Sequence, residues 1–417
     1  MSFDRMQYVP TLPLQSSGVM AVRHLPKVTK GRMTPCFLFP QRAKPVHLSR
    51  SLEIIERAYH QRRYFLDIDR HYSPVNKAQS GFVNLNVSDN GLSSWTSLIE
   101  QSEWIMPCLQ TEAQSIQDIE NQIKVYETMG RTYCFRILRD FPPLNMVAIL
   151  NLLSKFDPSK LVIFLEGGWT EDSFQLESWF RDLLISIISP NIDPDVPIVI
   201  SCTSWPKAFS SMQGITRVPF SNRSLFQNLK ADLSLSLVKK SYEAQVANSD
   251  VSYGSQTELK SDGMGRVAHS SKNAQVQELV QLGQPRLIYG DWGSTRPRGT
   301  GQIAQNQPPR IDYPTADAWY VARNKNENWG FHEAAAKMVG NAGVWCGNLG
   351  IWGEDMILRS ASRYPFHQKL GVTTAPKNVA ARINIHLHRQ AFYDEAAPGA
   401  LDLDEDWEEQ LINQFNF

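Results

Sequence analysis

Apolar runs of strand length recur along the chain, and each ends in polar or charged side chains. The run YFLDID places Tyr64, Leu66 and Ile68 on one face and Asp67 and Asp69 on the other, because successive side chains of a strand point to opposite faces. This pattern predicts a strand that carries two carboxylates to one end of a sheet.

Eight runs of this kind are present in the sequence. They read YVPTL, MTPCFLF, YFLDID, WIMPCL, TYCFRIL, LVIFLE, VPIVISC and RLIYGD. Continuous apolar runs are typical of buried parallel strands, and apolar residues at helical spacing separate most of them. Eight strands with intervening helices predict an α/β fold, a (β/α)8 TIM-like barrel. A doubly wound open sheet is the alternative, but it would need a glycine-rich phosphate turn, and no such motif follows any of the strands.

The pattern of apolar and polar residues divides the chain into a barrel, a C-terminal extension and an acidic tail. The barrel is predicted over residues 1–300, with a polar surface excursion at 241–275 that contains few large apolar groups. Residues 301–393 are predicted to pack as a C-terminal extension on the barrel mouth, with a strand in 312–323, a helix at 331–339 and a strand at 381–387. An acidic tail occupies residues 394–417.

Composition and charge narrow the class of protein. The 417 residues carry 42 basic and 42 acidic side chains, so net charge gives no argument for binding nucleic acid or an anionic membrane. No apolar run approaches the roughly 20 residues that span a bilayer, and MSFDRMQYVP lacks the apolar core of a signal peptide. A cytoplasmic location is therefore expected. The five widely spaced cysteines are predicted to be mostly buried and reduced.

The functional end of such a barrel is formed by the carboxyl ends of its strands. The candidate catalytic residues there are Asp67, Asp69, Glu166 and Asp291, and the candidate substrate-binding residues are Arg136, Arg139, Arg296 and Trp292. Gln110, Asp140, Thr203 and Ser204 lie at the same ends. This is a mixed set of acids and arginines, and no residue is assigned to a metal.

The chemistry of this set favours a phosphate-bearing substrate. Converging carboxylates can hold a divalent cation, or can act as a general acid and a general base when their pKa values are driven apart. Neighbouring arginines grip phosphate. Ion pairs that merely close the barrel rim are the structural alternative. A glycosidase would use the carboxylates but would leave the arginines unexplained.

Other motifs add little to the candidate site. If 381–387 is a strand, His386 and His388 share a face, as two metal ligands would, although structural histidines are the commoner explanation of such a pair. The GxSxG and HExxH motifs are absent, which argues against a serine hydrolase and a zinc protease. The acidic tail with Trp407 is either solvated or a segment that docks a protein partner.

Several ordered segments resemble a known family. YVPTLP, TPCFLFP, FLDID, GNLGIWGEDMI and ARINIHLHRQ follow one another as in the beta protein family, which is named for a bacteriophage protein and is common in bacterial genomes. The resemblance extends over nearly the whole chain. It implies a barrel-like fold and an association with conflict between phage and host, in antiviral defence or its counterpart. It assigns no reaction.

Two functional hypotheses follow, and the sequence leaves open whether the protein is an enzyme. In the first, the barrel mouth hydrolyses a phosphodiester or a nucleotide, with a divalent cation as a cofactor that would suit the carboxylates. In the second, the protein is a non-catalytic module of a defence complex that binds a partner or phage protein, with the acidic tail as the docking segment. Nucleic acid fits the first hypothesis as a substrate, and neither hypothesis involves a membrane.

Overall fold

Eleven strands lie in the part of the chain that the computed structural model describes, namely residues 6–40, 45–71, 93–232, 286–297, 309–324 and 326–395. In chain order they are β1 (Tyr8–Pro13), β2 (Cys36–Pro40), β3 (Tyr64–Asp69), β4 (Ile105–Pro107), β5 (Tyr133–Leu138), β6 (Leu161–Trp169), β7 (Ile198–Thr203), β8 (Gly214–Pro219), β9 (Leu287–Asp291), β10 (Ile311–Pro314) and β11 (Ala318–Arg323). Eight of these strands form one parallel sheet and the other three a small antiparallel sheet.

The parallel sheet curls into a nearly closed barrel. Its strands follow the order β4-β3-β2-β1-β9-β7-β6-β5. A parallel bridge between Cys108 and Cys134, with the Leu109 amide donating to the Cys134 carbonyl at 2.8 Å, brings the two ends of this sheet together. The predicted α/β barrel is confirmed, and its eight strands are the eight apolar runs of the sequence.

Helices surround the barrel and extend it. They are α1 (Ser16–Arg23), α2 (Lys27–Arg32), α3 (Pro45–Tyr59), α4 (Ser93–Glu100), α5 (Ile116–Thr128), α6 (Met146–Leu153), α7 (Ser173–Leu183), α8 (221–232), α9 (Phe331–Val339), α10 (Trp352–Ala361), α11 (Pro365–Leu370) and α12 (Ala375–Ala391). The start of α5 shows how the sequence sets such a boundary. Ser115 and Asp118 form a reciprocal capping box there, which satisfies amides that have no partner within the helix.

Alternation along the strands builds two apolar layers. Tyr64, Leu66 and Ile68 pack in the layer between the barrel wall and the helices, whereas Phe65 packs inside the barrel against Phe164, with ring centroids 4.9 Å apart. Asp67 therefore points into the barrel, as Phe65 does two residues earlier. The interior is a packed core at its lower end and becomes polar towards the carboxyl ends of the strands.

The last helix closes the ring of helices around the barrel. Ile383 and Leu387 of α12 pack in the outer layer with Leu12, and the Asn384 side chain donates to the Ala21 carbonyl of α1 at 2.9 Å. Although it comes at the end of the described chain, α12 thus lies against β1 and α1. It occupies the place of the helix that follows the eighth strand of a barrel.

The strand predicted at 381–387 is wrong, because this segment is the centre of α12. Buried residues occur almost all round the helix, so the sequence does not show the one-sided apolar stripe of a surface helix. On a helix, His386 and His388 point about 200° apart rather than sharing a face. His386 contacts Asp291, and His388 contacts Thr29.

A small antiparallel sheet lies beside the carboxyl ends of β7 and β9. Its order is β10-β11-β8, and it packs with α9, α10 and α12. The Trp319 indole on β11 donates to Ser294, just after β9, at 2.7 Å. The strand predicted within 312–323 and the helix predicted at 331–339 are confirmed. The excursion at 241–275 and the tail beyond residue 395 lie outside the described residues.

Acid should weaken the attachment of α12. His388 is buried, and its Nδ1 lies 2.8 Å from the Thr29 hydroxyl. Burial, followed by the charge of Arg389, lowers the pKa of His388 to about 4. Because this pKa lies below the unfolded value of about 6.5, the unfolded chain binds more protons as the pH falls between the two values. The stability that the neutral ring contributes is complete above pH 6.5 and is lost towards pH 4.

We therefore expect the substitution His388→Gln to remove part of the pH dependence. The wild type should lose about 2 kcal/mol of unfolding free energy at pH 5 relative to pH 7 through this residue, and the variant should not. Urea denaturation at both pH values measures the difference. Equal pH slopes for the two proteins would contradict the assignment, and His367→Gln, on the exposed α11, is the control.

Candidate functional site

Arg136 is the centre of a charged cluster inside the barrel. From β5 its Nη1 donates to Asp67 Oδ2 at 2.9 Å, and its Nη2 lies 3.6 Å from Glu166 Oε2. The three side chains are only 2%, 3% and 0% exposed. Alternation directs all three inward at the carboxyl ends of β3, β5 and β6, so one guanidinium lies between two carboxylates.

Neutral donors fix both carboxylates in place. Asp67 Oδ1 accepts from the Gln110 side chain at 2.9 Å, and Glu166 Oε1 accepts from the Trp292 indole at 2.7 Å and the Gly168 amide at 3.2 Å. Burial raises the pKa of Glu166 against the opposing charge of Arg136. Burial alone would lower the pKa of Arg136, but the charge of Asp67 and the smaller effects of other neighbours, Glu166 among them, together outweigh it, and the net shift is upward. Arg136 is therefore a permanent cation.

His71 lies above this cluster at the end of β3. Its side chain is 8% exposed, and its ring forms edge contacts with Trp292 and Phe141 at centroid distances of 5.5 Å and 5.3 Å. Nδ1 lies 3.8 Å from Asp140 Oδ2, and Nε2 has no hydrogen-bond partner among the residues that the structure describes. Burial, followed by the charge of Arg136, lowers the pKa of His71 to about 4, so the ring is neutral at pH 7 and Nε2 can accept a proton.

His71 was not among the residues predicted from the sequence. The signal was its position two residues beyond Asp69, at a strand end already chosen for its carboxylates. A histidine in a polar stretch has no periodicity to mark it, so only the fold shows that its ring turns back over the mouth to Trp292.

The other predicted residues at this end lie nearby but outside the central cluster. Asp69 is buried, and its Oδ1 accepts from the His71 amide at 3.1 Å. Arg139 and Arg296 are half-buried at the rim, where the Arg139 amide donates to the Glu166 carbonyl at 2.9 Å. Trp292 is fully buried, and its indole is engaged by Glu166.

Asp291 lies on the other side of the barrel wall. Ile288 and Trp292 of the same strand region pack in the interior, whereas Tyr289 packs in the outer layer, and alternation places Asp291 with Tyr289. Its carboxylate accepts hydrogen bonds from Tyr8, Tyr289 and the Gly293 amide, and contacts His386 Nε2 at 2.7 Å. The structure thus brings Asp67 and Glu166 together, but it separates Asp291 from them.

Opposing effects act on the ionisation of Asp291. Burial would raise the pKa of this carboxyl, but the charge of His386 and the surrounding hydrogen bonds hold it below its ordinary value. Asp291 is accordingly ionised and joins α12 to the barrel. It is not part of the site at the barrel mouth.

The arrangement of acids offers little to a metal ion. Within the described ranges, no three or more His, Cys, Asp or Glu side chains form a group that could hold one. The Arg136 guanidinium occupies the position between Asp67 and Glu166 that a cation bridging them would take. The cluster therefore fits an anionic or neutral ligand above Arg136 better than a divalent ion within it.

Comparison with known proteins identifies the family. A model described as beta protein matches residues 8–277 and 269–392. The chain belongs to the beta protein family. It is also 23% identical over 410 residues to protein beta of Enterobacteria phage P4, which covers 97% of this chain and 98% of the phage protein. This beta family chain is thereby related to a phage protein along its whole length. In the described residues, no helix combines the length and apolar character needed to cross a membrane.

Proposed function

We propose that this beta family protein acts in conflict between phage and host by hydrolysing a phosphodiester or a nucleotide at the barrel mouth. The observation that carries the proposal is His71, a neutral histidine with an unpartnered Nε2 beside Asp140, above the cluster of Arg136, Asp67 and Glu166. The relation to a phage protein supports the biological setting.

In the proposed reaction, His71 acts as the general base. Its Nε2 takes a proton from a water molecule, whose oxygen forms the new bond to phosphorus as the bond to the leaving oxygen breaks. Asp140, 3.8 Å from Nδ1, stabilises the imidazolium that forms, because a nearby carboxylate favours the charged ring. The imidazolium then releases this proton to solvent, and the departing oxygen takes a proton from water.

The arginines supply positive charge where the phosphate would lie. Arg136 Nε and Nη2 are buried and donate no hydrogen bond to any described residue, so the guanidinium has capacity for an oxyanion. Arg139 and Arg296 add charge at the rim, where phosphate oxygens gain charge-assisted hydrogen bonds. Asp67 and Glu166 hold Arg136 in one orientation, and Trp292 holds Glu166.

The first test is the substitution Asp140→Asn in assays with bis-p-nitrophenyl phosphate and a panel of nucleotides. Asp140 is half exposed, so the variant should fold. The wild type should hydrolyse at least one substrate, and the variant should lose about 10- to 100-fold in kcat with KM nearly unchanged. Asp182→Asn, at an exposed position on α7, should behave as the wild type. Hydrolysis that is insensitive to Asp140→Asn would count against the His71 role.

A second candidate function, binding of a protein partner, rests on a different surface. The α11 surface, which we define as Tyr364, Phe366 and Leu370, is 69%, 70% and 44% exposed. It adjoins a cavity of about 370 Å³ lined by residues that include His332 and Lys369. Exposed aromatic residues in a group are typical of interaction surfaces.

Phage plating on cells that express variants separates the two functions. If the protein acts by binding a protein partner, the double substitution Tyr364→Ala and Phe366→Ala should abolish the phage phenotype, and His71→Ala should leave it intact. The hydrolase function predicts the reverse. Both variants should be stably expressed, because the substituted residues, His71, Tyr364 and Phe366, are not part of the buried apolar core.

A further inference from the structure

Two arginines bind one buried carboxylate beside the segment that follows β7, and a third arginine contacts that segment. Arg310 Nε donates to Asp312 Oδ1 at 2.8 Å, and Arg382 Nη1 donates to Asp312 Oδ2 at 2.5 Å. Asn378 also donates to Oδ2 at 2.9 Å. Arg323, at the end of β11, donates from Nη1 to the carbonyl of Phe209. Both carboxylate oxygens of Asp312 are thus fully engaged.

Two of these guanidiniums stack on aromatic rings. Arg382 lies 4.0 Å from the centroid of the Trp205 ring, and Arg310 lies 3.8 Å from that of Phe209. Trp205 and Phe209 pack against each other at 5.4 Å. Stacking of this kind fixes the planar guanidinium and directs its edge, where the N–H groups lie, away from the ring.

The charge of Arg323 is not compensated by any described carboxylate. Its side chain is buried and donates to the Phe209 carbonyl. Among the described residues, the Nε atoms of Arg323 and Arg382 have no hydrogen-bond partner. Burial, followed by the charge of Arg310, lowers the pKa of Arg323. The charged group that acts on Arg323 is therefore another cation, Arg310. An uncompensated buried cation is costly unless an anion accompanies it.

The arginines lie at the mouth of the barrel. Trp205 comes two residues after the end of β7, and its carbonyl accepts from the Trp169 indole at the end of β6 at 2.8 Å. The Thr203 hydroxyl donates to the Thr295 carbonyl, beyond β9, at 2.7 Å. In barrels of this type, the loops after the seventh and eighth strands frequently hold a phosphate group. Those loops correspond to the segments that follow β7 and β9 here.

We propose that Arg323 and Arg382, supported by Arg310, bind a phosphate group of an anionic ligand. Guanidinium edges match phosphate oxygens in charge and geometry. The inference deepens the proposed function and rests on it in one respect, since the bound group would be the non-reacting phosphate of a nucleotide substrate. The unpaired Nε atoms are the donors that a phosphate oxygen would occupy.

Titration calorimetry with inorganic phosphate, and separately with adenosine monophosphate, tests this site without turnover. The full-length wild type should bind both saturably in a chloride buffer of matched ionic strength. Arg323→Gln should weaken both affinities at least tenfold. Arg217→Gln, an exposed arginine of the same small sheet that pairs with Asp317, should bind as the wild type. Absence of binding to the wild type, or equal loss in both variants, would overturn the proposal.

Amide hydrogen exchange of the wild type provides a measurement that does not depend on the folding of a variant. Phosphate should slow exchange in residues 205–209, which border the arginines, and should leave α5, which connects β4 and β5, unchanged. Unaltered exchange at 205–209 under saturating phosphate would also overturn the site.

The two proposals can fail separately. If phosphate binds through Arg323 but no phosphoester is hydrolysed, the binding site stands and the hydrolase function fails. If hydrolysis depends on His71 but Arg323→Gln keeps full affinity for phosphate, the function stands and this site fails.

Discussion

Replacing Arg136 with methionine is expected to lower the free energy of unfolding by about 3–5 kcal/mol. The substitution removes the cation that lies between Asp67 and Glu166 while both carboxylates remain buried. Two uncompensated acids in a low-dielectric interior must then be protonated or hydrated, and either outcome is costly. Urea denaturation at pH 7 should show a lower midpoint with an unchanged slope.

Arg139→Met is the matched control for this experiment. Arg139 directly follows β5 and is half-buried at the rim of the barrel. Substitutions at such positions usually change stability by less than about 0.5 kcal/mol. A comparable loss of stability in the two variants would show that Arg136 is not specifically required between the carboxylates. A loss smaller than about 1 kcal/mol in Arg136→Met would show the same.

Asp291→Ala should have a similarly large effect at a different place in the fold. The substitution leaves the Tyr8 and Tyr289 hydroxyls, the Gly293 amide and His386 buried without their common acceptor. Each orphaned donor costs about 1–3 kcal/mol, partly relieved by rearrangement. We expect a loss of about 4 kcal/mol in unfolding free energy, and the contact between α12 and the barrel should be weakened most.

A double-mutant cycle identifies the cause of that loss. Tyr8→Phe alone should cost about 1 kcal/mol, whereas in the Asp291→Ala background it should cost nothing, because the bond it removes is already absent. Additive losses would mean that the Tyr8–Asp291 bond contributes nothing to stability. Asp195→Ala, at an exposed turn, controls for the loss of an aspartate.

The sequence was sufficient to predict the barrel because its eight strands are buried on both faces. Such strands are short apolar runs whatever their neighbours, so their number and order can be counted directly. The direction of Asp67 also followed from alternation within YFLDID. The same rule, applied to RLIYGD, places Asp291 on the face of Tyr289, but one cannot tell from this short run alone which face is the interior.

What the sequence did not reveal depends on long-range packing. Residues 381–387 of α12 were predicted as a strand because burial on nearly all sides removes the helical stripe. The partnership of Arg136 with Asp67 joins residues 69 positions apart, and that of Tyr8 with Asp291 joins residues 283 apart. Arg310 precedes β10, Arg323 ends β11 and Arg382 lies on α12, so their convergence depends on a connectivity that no local pattern records.

The rate of phosphoester hydrolysis by His71→Ala, relative to that of the wild type, is the most direct test of the proposed function. General bases contribute about 10²- to 10⁴-fold to the rate, and we predict a loss of that size in kcat on the substrate that the wild type hydrolyses best. The folded fraction of the variant should match that of the wild type. A rate within about twofold of the wild type, or a wild type that hydrolyses no phosphoester, would contradict the account.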